Sequence, residues 1–333
     1  MTSAPVRQDL LGILEGYYLT QIVDLLLRTG ALADLRAGVP LARIADARRL
    51  DGTLLAILVA YLRARTSGIV PDGEEGDFAD GAWLGHLLHQ YKGAFGPCLE
   101  RLEAILRAPE TGAALVDWER HGEAFGAAGR GASNAFPLRL LAELQVECIV
   151  DLGCSAGGFL LDFAARHPHA RGWGVDSSAA AIDAARGAAH AASLDDRLDF
   201  RVADAFEPAT ALRAAEREQV QLVTAFNLAN AFFDPRSGKP FCAWLSMLRA
   251  AFPERLLLLA DYYGRVGACP AGESHGYRRA MLHDVAQAIT LQGIPPADRA
   301  GWKALLEGAG ATLVQAFEGT HDEVAHFMYL VQL

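Results

Sequence analysis

Residues 148–163 read CIVDLGCSAGGFLLDF. A short apolar run ends in Asp151, a turn containing Gly153, Gly157 and Gly158 follows, and apolar residues then recur as on a helix. Strand, glycine-rich turn and helix together let a ligand approach the backbone closely. A dinucleotide turn GxGxxG starting at Gly153 would require glycine at 155; the residue is Ser155, so the fit is partial. A P-loop is excluded, because no Gly-Lys-Ser/Thr closes the turn.

Outward from this stretch the pattern alternates. Apolar runs occur at 148–150, 173–175, 199–202, 221–225, 255–260, 313–317 and 326–332, with helical stretches between most of them. This predicts an α/β fold with a Rossmann-like, mostly parallel sheet covered on both faces. The last two runs have only a short connection and predict a C-terminal antiparallel hairpin. The second run ends in Asp176, about 25 residues past Asp151, close to the roughly 20 of a ribose-binding acid. The third leads into Asp204. Any one of these acids reads equally well as a helix N-cap; three in register on consecutive strands behind a glycine turn are far more specific.

Residues 1–110 read as a separate helical, winged-helix-like domain, and 111–333 as the ligand-binding domain, with 111–146 a helical connection. Leu11, Leu14, Tyr18, Ile22, Leu25 and Leu26 have helical spacing, and Gly30 is a helix stop. A short helix, a turn over Leu50–Thr53 and a helix through Leu54, Leu58 and Leu62 follow, then a strand-like Ile69-Val70 and a polar wing. Asp72, Glu74, Glu75 and Asp77 make that wing acidic, so it would repel phosphates. The formal net charge of -10 likewise argues against nucleic acid as partner. The 333 residues, 52% of them hydrophobic, are ample for two cores. Neither a signal peptide nor a membrane span is expected. The five cysteines lack CxxC pairing and read as reduced cytoplasmic thiols.

The turn fits acid-x-Gly-x-(Gly/Ser)-x-Gly, which resembles the first motif of class I S-adenosylmethionine-dependent methyltransferases. The resemblance implies that Gly153, Ser155 and Gly157 pass beside the cofactor's methionine part and ribose. It implies further that Asp151 lies near the methionine ammonium, that Asp176 and Ser177 bind the ribose, that Asp204 takes the adenine amino group with Ala205 or Phe206 against the ring, and that Asn227 completes the site. The whole chain resembles the small-molecule O-methyltransferases, which pair a winged-helix dimerisation domain with a Rossmann-like catalytic domain. This implies a homodimer and a small-molecule acceptor.

That family carries a His-Asp-Trp-x-Asp motif whose histidine deprotonates the acceptor. Aligning its last aspartate on Asp234 places Asn230, Ala231 and Phe232 at His, Asp and Trp. An asparagine amide cannot take a proton near neutral pH. The acceptor expected is therefore one needing no strong base, such as a carboxylated thioether methylated on sulfur; methylthio-hydroxybutyrate S-methyltransferases share the general architecture. O-, N- or C-methylation with a relocated base (His275 or His321) stays open, as does a methyltransferase-like protein that binds the cofactor without transfer. Asp261, Tyr262 and Tyr263 fall near the carboxyl edge of the sheet, and His275, Tyr277, Arg278, Arg279 and His283 follow. An arginine here suits an acceptor carboxylate; a solvated loop is the plain alternative. Glu318, His321 and Asp322 could cluster around acid–base chemistry or a metal, but with Asn230-Ala231 replacing His-Asp no metal is expected. Tyr17 and Gln21, at i and i+4, and the aromatic Tyr91 and Phe95 could line the acceptor site or simply pack in an interface.

Overall fold

The computed structural model describes residues 4–70, 81–127, 134–234, 236, 238–267, 275–321 and 324–333. The chain forms two units, residues 1–96 with 117–128, and residues 97–116 with 129–333. The expected boundary at 110 falls inside the 97–116 excursion, and the connection 111–146 is divided between the units.

In the larger unit the apolar runs become seven strands, β1 Cys148–Leu152, β2 Arg171–Asp176, β3 Leu198–Val202, β4 Leu222–Phe226, β5 Leu256–Tyr262, β6 Thr312–His321 and β7 Val324–Gln332. β1 and β4 are apolar nearly throughout because helices cover both sheet faces, so neither face can be polar. The order is β3-β2-β1-β4-β5-β7-β6. β1 to β5 pair in parallel, while β7 runs antiparallel to both β5 and β6, as the predicted hairpin requires. From β1 the chain winds outward to β3, then returns to β4 on the other side of β1. The crevice at the carboxyl ends of β1 and β4 is thus the point where ligands bind in open α/β sheets.

Alternate residues feed two cores. Ile149 joins Leu160, Phe163 and Phe200 on one side; Val150 and Leu152 join Trp244, Trp302 and Tyr329 on the other. The Trp244 indole N–H also donates to the Ala205 carbonyl at 2.9 Å, tying the helix Phe241–Ala251 to the turn after β3. Trp244→Phe leaves that buried carbonyl without its donor, and the expected cost is about 1–3 kcal/mol in a denaturant titration.

The smaller unit contains helices Ala4–Arg28, Ala31–Arg36, Leu41–Arg48, Gly52–Arg65, Gly81–Leu87 and Trp118–Ala127. Gly30 adopts φ 75 at the expected stop, and the Asp51 carboxylate caps the fourth helix by accepting from the Leu54 amide at 2.7 Å. The YKGAFGP break is a π-helix, Leu88–Ala94, ending at Phe95. Ile69-Val70 is a bend rather than the expected strand: a two-residue run needs a paired neighbour to become a ladder, and none is found among the described residues. The acidic wing residues lie outside the described residues.

Over residues 10–28 the first helix is mostly apolar, but only its C-terminal part is covered. Ile22, Val23 and Leu26 are buried in the unit's core, whereas Leu11, Leu14 and Tyr18 are 58%, 50% and 62% exposed. By length and composition alone its Leu10–Arg28 stretch is long and apolar enough to cross a membrane, although Glu15 and Asp24 interrupt it, so it is not the uninterrupted apolar run that the sequence lacks.

Candidate active site

The glycine turn takes a conformation that its sequence explains. Gly153, Ser155 and Gly157 have φ of 73, 50 and 75. At Gly157 a β-carbon would stand 2.7 Å from the Phe200 ring and 3.0 Å from the Ala185 methyl, so glycine is required on two grounds. The helix Gly158–Arg166 starts directly behind.

The three expected acids lie at or just beyond the carboxyl ends of three adjacent strands. Asp151 is buried and accepts the Thr224 hydroxyl at 2.7 Å. Burial pushes its carboxyl up to about 7; the Thr224 bond lowers it and the nearby Asp176 charge raises it. A carboxyl so placed, without a cation beside it among the hydrogen bonds it makes, suits a ligand that carries its own ammonium. Asp176 is half-buried, with Oδ2 accepting the Ser155 amide at 2.9 Å and Oδ1 the Ser178 amide at 2.8 Å. Asp204 is exposed; its Oδ1 accepts the Phe206 amide at 2.9 Å and its Oδ2 pairs with the Lys239 ammonium. Burial raises the Asp204 carboxyl, but the Lys239 and Phe206 bonds outweigh it and leave the group below its ordinary value. Ser177 and Asn227 are exposed at the same edge, Asn227 with φ 51 and its amide donating to the Ala260 carbonyl at 2.8 Å. Ala205 is buried, and Phe206 lies 5.5 Å from the Phe232 ring.

With this geometry the comparisons with known proteins can be placed. Residues 149–250 match the methyltransferase domain family. The match runs from β1 through the helix Phe241–Ala251 and so contains Asp151, Asp176, Asp204 and Asn230. A curated relative, methyltransferase ungE' of Aspergillus campestris (strain IBT 28561), is 39% identical over 120 residues. That alignment spans 36% of this chain and about a third (33%) of the relative. Among solved structures, mitomycin 7-O-methyltransferase superposes with a TM-score of 0.71 at 15% identity, covering 99% of this chain and 98% of that one. An O-methyltransferase of neocarzinostatin biosynthesis, solved with S-adenosylmethionine and 2-hydroxy-5-methyl naphthoic acid, gives 0.61 at 17% identity, covering 95% and 96%. At these identities the likeness is one of fold. It extends the methyltransferase-type architecture from the matched domain to nearly the whole chain.

Beyond the methyltransferase-domain turn, Asn230 sits in a short 3-10 helix, Ala229–Phe232, and is buried. Its backbone amide donates to Asp261 Oδ2 at 3.0 Å, and the Tyr262 backbone amide to Oδ1 at 2.9 Å. Burial raises the Asp261 carboxyl to about 7, while the amides of Tyr262, Asn230 and Ala229 lower it. Only 1% of Asp261 is exposed, and its oxygens hold the backbone of the turn. Tyr262 donates to Asp284 at 2.8 Å and meets the His283 ring edge-on at 4.9 Å. The Tyr263 hydroxyl lies 2.6 Å from both Glu318 and the Tyr329 hydroxyl, and burial raises its pKa. Glu318 is thereby joined to a tyrosine pair.

Phe232 is buried against Trp244 at 4.9 Å as well as Phe206. Arg278 is exposed and Arg279 half-buried on the helix His275–Ile289. The side chains of His275 and His321, and all of Asp322, lie outside the description. In the smaller unit Tyr17 is 62% exposed, and Gln21 and Tyr91 are half-buried.

Thr224 and Lys239 escaped the sequence reading. Thr224 sits among apolar strand residues, where threonine is ordinary. Lys239 lies in a polar loop, where a lysine signals nothing in particular.

Proposed function

We propose that this chain transfers a methyl group from S-adenosylmethionine to a small-molecule acceptor that needs no strong base. The supporting observation is the set of carboxylates at the carboxyl ends of β1, β2 and β3, around a left-handed turn that requires glycine at 157. When bound, the cofactor supplies an electrophilic methyl group on a sulfonium. Asp151 holds the ligand's ammonium, Asp176 accepts from the ribose hydroxyls, and Asp204 accepts from the adenine amine beside Phe206.

On the acceptor side, Asn230 stands where the resembling family has its histidine. Ionising a phenol of pKa about 10 costs roughly 4 kcal/mol at neutral pH. A positioned base contributes about 10²–10⁴-fold. A thioether or neutral amine offers a lone pair directly, so placement is what it requires. The new bond to carbon forms from that lone pair as the cofactor's carbon–sulfur bond breaks. Asp261, sealed against backbone amides, positions the turn that carries Asn230 and Phe232. The acceptor that fits best is a carboxylated thioether, with Arg278 or Arg279 binding the carboxylate and aromatic rings facing the sulfonium product.

The protein acts in the cytoplasm as a homodimer. The exposed apolar residues between Leu10 and Tyr18 of the first helix, with Leu54 and Ile57 also more than half exposed, support the dimer. Light scattering at micromolar concentration tests it; a monomer would overturn this part.

Incubation of the purified protein with methyl-labelled cofactor and a panel of thioethers, amines, phenols and 2-oxoacids tests the activity. Label is expected in thioethers or amines. Label in phenols alone would overturn the base-free reading, and binding without any formation of S-adenosylhomocysteine would overturn transfer.

Asp151 also gives the cofactor site a pH dependence. Because its folded pKa is raised, the folded chain holds this proton more tightly than the unfolded chain between about pH 4 and 7. This group's contribution to stability therefore falls as pH rises through that window. Binding an ammonium requires the ionised form. The dissociation constant for S-adenosylhomocysteine is thus expected to rise about tenfold from pH 8 to pH 6, and Asp151→Asn is expected to flatten the profile. A flat wild-type profile in calorimetry would refute the ammonium assignment.

A further inference from the structure

We propose that Lys239 is a cofactor-specificity residue that donates a hydrogen bond to N1 of adenine while Asp204 accepts from the adenine amino group. This deepens the cofactor reading above and rests on it.

The ammonium of Lys239 pairs with Asp204 Oδ2 and lies 5.8 Å from the centre of the Phe206 ring. Three features set this pair apart from an ordinary surface ion pair, which would be worth little. Asp204 is itself fixed, its Oδ1 accepting the Phe206 amide at 2.9 Å. Lys239 immediately precedes Pro240 and the helix Phe241–Ala251, whose Trp244 donates to the Ala205 carbonyl at 2.9 Å, so both ends of the pair are anchored to the same turn. Finally, the pair borders the ring of Phe206, which packs on Phe232, itself against Trp244, and offers an aromatic edge for a flat ligand.

The two charged groups supply an acceptor and a donor side by side. The Watson–Crick edge of adenine presents a donor, the 6-amino group, beside an acceptor, N1. A carboxylate has about four acceptor positions and an ammonium three donors, so an ion pair does not by itself exhaust either group. A purine with oxygen at position 6 would present the opposite pattern, with its acceptor against Asp204. The pair therefore selects adenine by its hydrogen-bond order.

The test measures binding, by calorimetry, of S-adenosylhomocysteine and its 1-deaza analogue, in which N1 is replaced by C–H. Wild-type protein is expected to prefer the natural ligand by about tenfold or more, as for a hydrogen bond to a charged group. Lys239→Met is expected to lose that preference, with affinity for the 1-deaza analogue within about twofold of wild type, which also shows that the variant is folded. Lys239→Arg is expected to keep part of the preference. Equal binding of the two ligands by wild type, or an undiminished preference in Lys239→Met, would overturn the assignment while leaving the cofactor reading standing. No binding of S-adenosylhomocysteine to wild type would overturn both.

Discussion

Asp176→Ala is expected to weaken binding of S-adenosylhomocysteine by at least about a hundredfold. In the proposed complex its carboxylate accepts from both ribose hydroxyls. A hydrogen bond to a charged group contributes about 1.5–3 kcal/mol, so losing two costs roughly 3–6 kcal/mol. The same carboxylate accepts the amides of Ser155 and Ser178, so it also braces the glycine turn against the start of the helix Ala179–Ala191. Asp176→Asn keeps an acceptor oxygen and is expected to fall between wild type and alanine. Calorimetry reads the affinity, and a melting curve of the ligand-free variants separates lost contacts from a lost fold. An alanine variant binding within threefold of wild type would remove Asp176 from the site.

Gly157→Val is expected to be the most damaging single change in the turn. A β-carbon at 157 would meet the Phe200 ring at 2.7 Å and Ala185 at 3.0 Å, and a β-branched residue is strained at φ 75. Overpacking costs about 1–3 kcal/mol and an unfavourable left-handed backbone about 1–3 kcal/mol more. Together these take a large share of the roughly 5–15 kcal/mol that holds a domain folded. Chemical denaturation measures the loss. Gly157→Ala, which lacks the branch, is expected to lose less. Wild-type stability in the valine variant would mean that Phe200 and the turn move apart freely, and that the turn is not the rigid cradle described here.

Much of this site was legible before folding because it is written in local patterns. The residues of CIVDLGCSAGGF are neighbours in the chain, and periodicity alone separates strand from turn from helix. Asp176 and Asp204 were found because each ends its own strand, and parallel strands necessarily bring their carboxyl ends to one edge. Asn230 was singled out differently, by aligning the resembling family's motif on Asp234. The hairpin β6–β7 followed from a short connection. Ile69-Val70 failed as a strand because a strand is defined by its partner, which a two-residue run does not specify.

The sequence by itself therefore determined the alternation that makes the sheet, the glycine turn, and the row of acids that points to S-adenosylmethionine. Covalent adjacency and a strand period of two are enough to decide the alternation and the turn, and the resemblance to class I methyltransferases supplied the cofactor. Tertiary structure decided what surrounds each acid. It brought Thr224 to Asp151 across 73 residues and Lys239 to Asp204 across 35, and it sealed Asp261 against the backbone amides of Asn230 and Tyr262. It also left Leu10, Leu11, Ile13, Leu14, Tyr17 and Tyr18 of the first helix exposed. None of these leaves a local signature, because each depends on which elements the sheet order places side by side. Whether a carboxyl is ionised, paired or sealed is set by that packing. The turn thus names the donor from the sequence, while the pairing of its acids, and with it the selectivity proposed for adenine, belongs to the fold.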